Sequence, residues 1–502
     1  MRQRRTIYHN DARHSYLWYF EPPMRLEDAW IPIDEVAGTA VDTFSYCVER
    51  GDGAYYPTKV GKLFSVEDGR PRSKQNYEWR AAACMLSLME RGLDPLRVLV
   101  DRAHEHGMDF LADVRLQRLG GVYPELEIEN GGPGWADRRV QDLKLEVLRE
   151  LATGYPIEGV ELDFTAAFSE SGYFYFQDGG TPENTATMTE WVRRSAEMVR
   201  SRPGEPGLVG ARIFPTEKGN LEQGLDVRTW LAEGLLDFVV PVAYIYTVLD
   251  PDMPFDWVVE PAHDADASVY GFLQHYKQDS VVGASGRRYA NLEQFRAAAA
   301  NYWEKGVDGL YTWALEWPLG DAERNLLTMM GSPELVRGQD KHYVVAREYD
   351  GAARVDYHHH IPHELAPPLP TAAHAIPFTI ADDIAAADSR VSATKLRLYL
   401  TNVVSADRFT VSLNGQSLEG ETCRRVWKEK GSDDAFPHTN PRNHWLEFDL
   451  VGMVPRKGGN VLEVSLESRP EGLTGSVTIQ EVEVEVRYNP YPAGLAATAA
   501  PR

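Results

Sequence analysis

Apolar and polar positions change period repeatedly along the first two thirds of the chain. Residues 6–11, 42–48, 108–114, 159–164, 208–214, 238–246, 268–273 and 309–314 are apolar at every second position or nearly throughout, the pattern of short strands with at least one buried face. Between them the apolar spacing becomes helical, over residues 77–91, 95–106, 138–151, 183–200, 227–233, 292–305 and 322–330, with a less regular helical stretch at 26–40. A polar insertion occupies 49–75. Eight strand–helix units within residues 1–338 predict an α/β fold, a (β/α)8 TIM barrel. The alternative is an open doubly wound sheet. No strand is followed by a Gly-x-Gly-x-x-Gly turn, which disfavours that sheet and a nucleotide cofactor with it.

The pattern changes again past this region. Residues 339–375 hold His358, His359, His360 and His363 among several prolines and read as a linker or docking strap. Beyond it the period is two throughout: residues 395–402, 408–413, 444–449, 460–467 and 475–488 predict an all-β sandwich over 376–488, and Asn414-Gly415 marks a hairpin turn. Residues 489–502 are rich in Ala and Pro and are expected to form a disordered tail.

Composition narrows the partners. The formal net charge of -23 argues against a nucleic acid or an anionic membrane, which both need basic surface. Cys47, Cys84 and Cys423 are far apart and odd in number, so no disulfide framework or thiolate metal site is read. His9, Asp11, Arg13 and His14 interrupt the apolar run that a signal peptide needs, and no run is long enough to span a bilayer. A soluble, cytoplasmic protein is expected. Three successive histidines in an extended strap point to alternate sides, so no metal site is expected there.

The candidate chemistry centres on Gly159-Val160-Glu161-Leu162-Asp163-Phe164, where two acids share the strand face opposite three apolar side chains. In a (β/α)8 enzyme the site lies at the carboxyl ends of the strands. Collected by that rule are His9, Asn10 and Asp11 from the first strand, Asp113, Arg115 and Gln117 from the third, and Arg212 from the fifth. Tyr244 and Tyr246 come from the sixth, Gln274 and His275 from the seventh, and Trp313, Glu316 and Trp317 from the eighth. Carboxylates, arginines and aromatics without a nucleophilic serine or cysteine suit carbohydrate, because sugar C–H faces stack on Trp and Tyr while hydroxyls bond to Asp, Arg and Asn. Cleaving a glycosidic bond needs two carboxyl groups, one to protonate the leaving oxygen and one to attack or to activate water. No cofactor is needed.

The Gly159-Val160-Glu161-Leu162-Asp163 stretch, with a Trp-bearing eighth strand and a trailing sandwich, resembles the bacterial family-10-like glycosyl hydrolase proteins. The resemblance implies a glycoside hydrolase site with Asp163 and Glu161 at its centre. Two templates fail. Gln274 and His275 stand where a strand-seven glutamate nucleophile would be, and Phe164 and Thr165 stand where a chitinase-like acid would follow. Asp163 is therefore expected to be nucleophile or general base, and Glu316 to be the second carboxyl, on condition that strand eight ends before it. Asp113 is the rival and Glu170 the third choice. A non-hydrolytic carbohydrate-binding barrel, and a sugar lyase or isomerase with Tyr244 or His275 as base, are the alternatives. The sandwich could bind sugar, cover the barrel or make a homo-oligomer contact.

Overall fold

A computed structural model describes residues 5–12, 16–50, 53–117, 119–127, 134–165, 172–243, 249–278, 287–348, 359–386, 389–427 and 444–490. Eight parallel strands close into a barrel: β1 (Thr6–Asn10), β2 (Thr43–Cys47), β3 (Asp109–Arg115), β4 (Gly159–Asp163), β5 (Leu208–Ile213), β6 (Phe238–Pro241), β7 (Ser268–Leu273) and β8 (Gly309–Trp313). Each strand pairs with its neighbours in sequence, and β1 closes on β8 through Thr6 opposite Leu310 and His9 opposite Trp313. The expected eight strands are all present. Strand six is shorter than the expected 238–246: it ends at Pro241. Tyr244, Tyr246, Glu170 and His358 lie outside the described residues.

Four acids lock the amino-terminal rim of the barrel in a repeating way. Asp42, Glu158, Asp237 and Asp308 each stand just before an even-numbered strand. Each accepts, with its side chain, the backbone N–H of one residue on the preceding odd strand: Thr6 (3.2 Å), Phe110 (2.6 Å), Val209 (2.7 Å) and Val269 (2.8 Å). The backbone N–H of each acid donates back to the carbonyl of that same residue. These are the N–H groups that a strand entering a barrel would leave without a partner, so the acids satisfy them and hold each pair in register.

Inside the lower barrel Ile7, Leu111, Leu208, Phe238, Val240, Tyr270, Phe272 and Tyr311 form a core of their own. Gly210 belongs to it by its lack of a side chain: a Cβ there would stand 1.9 Å from the Phe238 ring. Outside the barrel, the alternate side chains of the same strands pack on the helices. Val160, Leu162 and Phe164 are fully buried there, which turns Glu161 and Asp163 inward.

The carboxyl-terminal region is a pair of antiparallel sheets over one core. One sheet orders Lys341–Val344, Val477–Tyr488, Val391–Thr401, His444–Leu450 and Thr422–Trp427; the other orders His374–Ile380, Gly458–Ser468, Arg408–Leu413 and Gln416–Ser417. Leu396, Leu398 and Leu400 face Leu462, Val464 and Leu466 in that core. Asn414 and Gly415 both have positive φ, as a two-residue hairpin turn requires. Within the expected strap, Lys341–Val344 and His363–Leu365 pair with Val477–Tyr488 and so belong to the first sheet.

Candidate active site

Register places the charges. Asp113 on β3 stands opposite Glu161 on β4, and Asp163 on β4 stands between Arg115 on β3 and Arg212 on β5. All of these side chains point into the barrel by the same alternation, above the apolar layer that ends in Phe272 and Tyr311. Arg212 is fully buried at their centre. Its Nε pairs with Glu161 Oε1, its Nη1 lies 3.4 Å from Asp163 Oδ2, and its Nη2 lies 3.9 Å from Asp113 Oδ2. Nη2 also donates to the Tyr311 hydroxyl and, at 2.8 Å, to His9 Nδ1. Arginine is only a donor, so His9 Nδ1 accepts and the proton of the neutral ring sits on Nε2. That nitrogen faces Asp113 Oδ2 at 3.7 Å.

The three central carboxyl groups are held differently. Glu161 accepts from the Tyr311 hydroxyl (2.9 Å) and from Ser45 Oγ (3.3 Å), besides its ion pair with Arg212. Burial raises its pKa and the Asp163 charge adds to the rise, while Arg212 and Tyr311 oppose it. Asp163 Oδ1 accepts from the backbone N–H (2.9 Å) and hydroxyl (3.0 Å) of Thr165, and its Oδ2 also lies 4.0 Å from Arg115 Nε. Thr165 and Arg212 both donate hydrogen bonds to it. Asp113 is fully buried, and among the described residues neither of its oxygens has a hydrogen-bond donor. Burial pushes its pKa well above the carboxylate range, the charges of Asp163 and Glu161 push it further, and Arg212 and Arg115 counteract only in part.

At the upper edge of the cluster Trp313 lies 6.1 Å from the His9 ring and donates from Nε1 to Gln274 Oε1 (2.9 Å). Gln274 donates in turn to the Ala243 carbonyl, and His275 stacks edge-on to Trp313 at 5.3 Å. Asp11 Oδ2 reaches Arg115 Nη2 at 3.9 Å, and Gln117 is buried near the end of the same strand.

The structure thus brings together Glu161, Asp163, Asp113, Arg115, Arg212 and Asp11, with Trp313 and His275 beside them. It does not bring in Glu316. The strand ends at Trp313, Ala314 takes a φ of 46°, and Glu316 is exposed, with neither hydrogen bond nor ion pair among the described residues. Trp317 is held apart from the Arg212 cluster: its Nε1 donates to Glu35 (3.0 Å) and its ring lies 4.8 Å from Tyr19. Asn10 serves the turn after β1, accepting from the Ala12 N–H (2.9 Å). His9, collected from the first strand, joins the cluster as well, and Ser45, Tyr311 and Thr165 are the additions. Parity alone would have found Tyr311, two residues before Trp313 on the same face.

No protein-family model matches the chain, and no curated protein matches it in sequence. Among solved structures it is similar to α-L-fucosidase isoenzyme 2 from Paenibacillus thiaminolyticus, at 14% identity over 66% of this chain and 49% of that one, with a TM-score of 0.40. It is also similar to a cycloisomaltooligosaccharide glucanotransferase from Paenibacillus sp. (10% identity, 96% of this chain, 57% of that one, TM-score 0.36). A third is a chitinase from Bacteroides thetaiotaomicron (11% identity, 67% of this chain, 97% of that one, TM-score 0.39). The chain spans about half the length of the fucosidase and little more of the glucanotransferase. What this (β/α)8 barrel can do is read from its own residues.

Proposed function

We propose that the protein is a glycoside hydrolase whose proton donor is Asp113 and whose nucleophile or general base is Asp163. One observation carries the reading: of the three carboxyl groups around the buried Arg212 guanidinium, Asp163 accepts hydrogen bonds from Thr165 and Arg212, whereas Asp113 has no hydrogen-bond donor among the described residues. Environments that differ in this way divide acid from base within a pair. Asp113 would protonate the glycosidic oxygen as the bond to the anomeric carbon breaks. Asp163 would then attack that carbon or deprotonate the water that does. Arg212 would hold Asp163 in place, and Glu161, tied to Arg212 and Tyr311, would hold Arg212. Trp313 would offer its ring to the face of the sugar.

A panel of aryl glycosides and oligosaccharides, offered to the wild type and to Asp163→Asn, Asp113→Asn and Glu316→Gln, tests this. Turnover should fall by roughly 10²–10⁴-fold in the first two variants. Unchanged turnover in Asp163→Asn would remove that residue from the chemistry, and loss in Glu316→Gln with retention in Asp113→Asn would return the acid to Glu316. An unsaturated or rearranged product would replace hydrolysis by a lyase or isomerase reaction.

A further inference from the structure

We propose that the carboxyl-terminal sandwich positions the hairpin at the mouth of the barrel, and that Lys277 is the positioning residue through which it acts. The hairpin pairs Tyr276–Gln278 with Arg287–Tyr289 immediately after β7. One side of it faces the barrel mouth. The Tyr276 and Tyr289 rings are 5.0 Å apart, Tyr289 lies 5.9 Å from His275, and His275 touches Trp313. The other side is held by the sandwich. Lys277 Nζ pairs with Glu483 Oε1 and lies 3.3 Å from Glu481 Oε2, and the Lys277 residue is only 5% exposed.

Glu481 and Glu483 alternate with Val482 and Val484, whose side chains lie in the sandwich core. The two glutamates therefore stand on the outer face of that sheet, toward the barrel. One further bond joins the hairpin to the sandwich, and another joins the barrel to the second sheet. Gln278 accepts from the Arg347 backbone N–H (2.9 Å), and Asp252, in the segment after β6, accepts from the Thr379 N–H (3.0 Å). Three-residue arms cannot hold a hairpin in one place by themselves. A buried lysine is tolerated only with its partner, so Lys277 leaves its site when the glutamates are not there to receive it. The inference concerns the hairpin's position and does not depend on which reaction the barrel performs.

Lys277→Met separates this role from general stability, because Glu483 keeps His342 Nε2 (3.0 Å) and Arg397 Nη1 (2.7 Å) when the lysine is removed. Amide hydrogen exchange of the full chain should show residues 273–278 and 287–290 exchanging about tenfold faster or more in Lys277→Met. Strands β3 and β4 should be unchanged, and Lys277→Arg should restore the hairpin. Unaltered exchange in the hairpin would overturn the proposal. So would an acceleration shared equally by β3 and β4, which would make Lys277 a residue of overall stability only.

Discussion

Replacing Asp113 by asparagine asks directly whether this carboxyl carries its proton in the folded protein. The side chain is fully buried, has no hydrogen-bond donor among the described residues, and has a pKa raised by burial and by the charges of Asp163 and Glu161. An unfolded aspartate releases its proton near pH 4. Above that, the folded state holds one proton more than the unfolded state, so stability falls as pH rises until Asp113 ionises in the fold. The slope for one such group is about 1.4 kcal/mol per pH unit. Asparagine has nearly the same shape and does not titrate. As long as the folded Asp113 keeps its proton, the exchange leaves the field on Glu161 and Asp163 as it was, and the difference between the two proteins isolates one proton. From about pH 4 upward the variant should therefore gain about 1.4 kcal/mol per pH unit on the wild type for as long as the folded Asp113 keeps its proton. Urea denaturation at successive pH values, read by tryptophan fluorescence, measures it. Parallel curves for the two proteins would show that Asp113 is ionised in the fold, and with that the proton donor would be lost from the proposed reaction.

Arg212→Met leaves Glu161 and Asp163 buried without their shared cation, and it should cost about 3–5 kcal/mol in denaturant unfolding at neutral pH; a loss below about 1 kcal/mol would mean that Arg212 is not what neutralises the cluster. Asp237→Ala removes the acceptor for the Val209 N–H and the partner of Arg200 at the rim, and should cost about 1–2 kcal/mol with no change in the charged cluster. The same denaturation measurement checks it, and an unaffected midpoint would show that water replaces the carboxylate at no cost.

Period and parity are local properties, and what depended on them was legible. The eight barrel strands, the inward pair Glu161 and Asp163, and the same-face series Asp113 and Arg115 follow from alternation alone. Contacts between strands depend on register, which alternation leaves open. Tyr311 and Ser45 reach Glu161 only because β8 and β2 are set at particular heights against β1, and these residues lie one step deeper than the strand ends. Glu316 depended on the path of the chain after Trp313, where the strand ends as expected and Ala314 takes a positive φ, leaving Glu316 exposed and apart from the Arg212 cluster. In the sandwich, Pro377 interrupts the reading of His374–Ile380, yet the strand lies at the edge of its sheet, where a proline is tolerated.

The register also bears on why Asp113, rather than either acid on β4, would be the proton donor of the proposed reaction. Two guanidiniums, Arg115 and Arg212, face four carboxyl groups, Glu161, Asp163, Asp113 and Asp11. Arg212 rises from β5, next to β4, so it meets Glu161 and Asp163 first and reaches Asp113 only across an intervening strand, at 3.9 Å. Tyr311 and Ser45 are both spent on Glu161, and Thr165 serves Asp163. Asp113 is left at full burial with charges near it but, among the described residues, no donor within hydrogen-bond distance. A carboxyl group so placed lowers its energy by taking a proton, since nearby charge offsets desolvation less well than hydrogen bonds do. In the proposed reaction the order of strands β3, β4 and β5 would thus select the acid, with Asp113 one strand farther from Arg212 than Glu161 and Asp163 are.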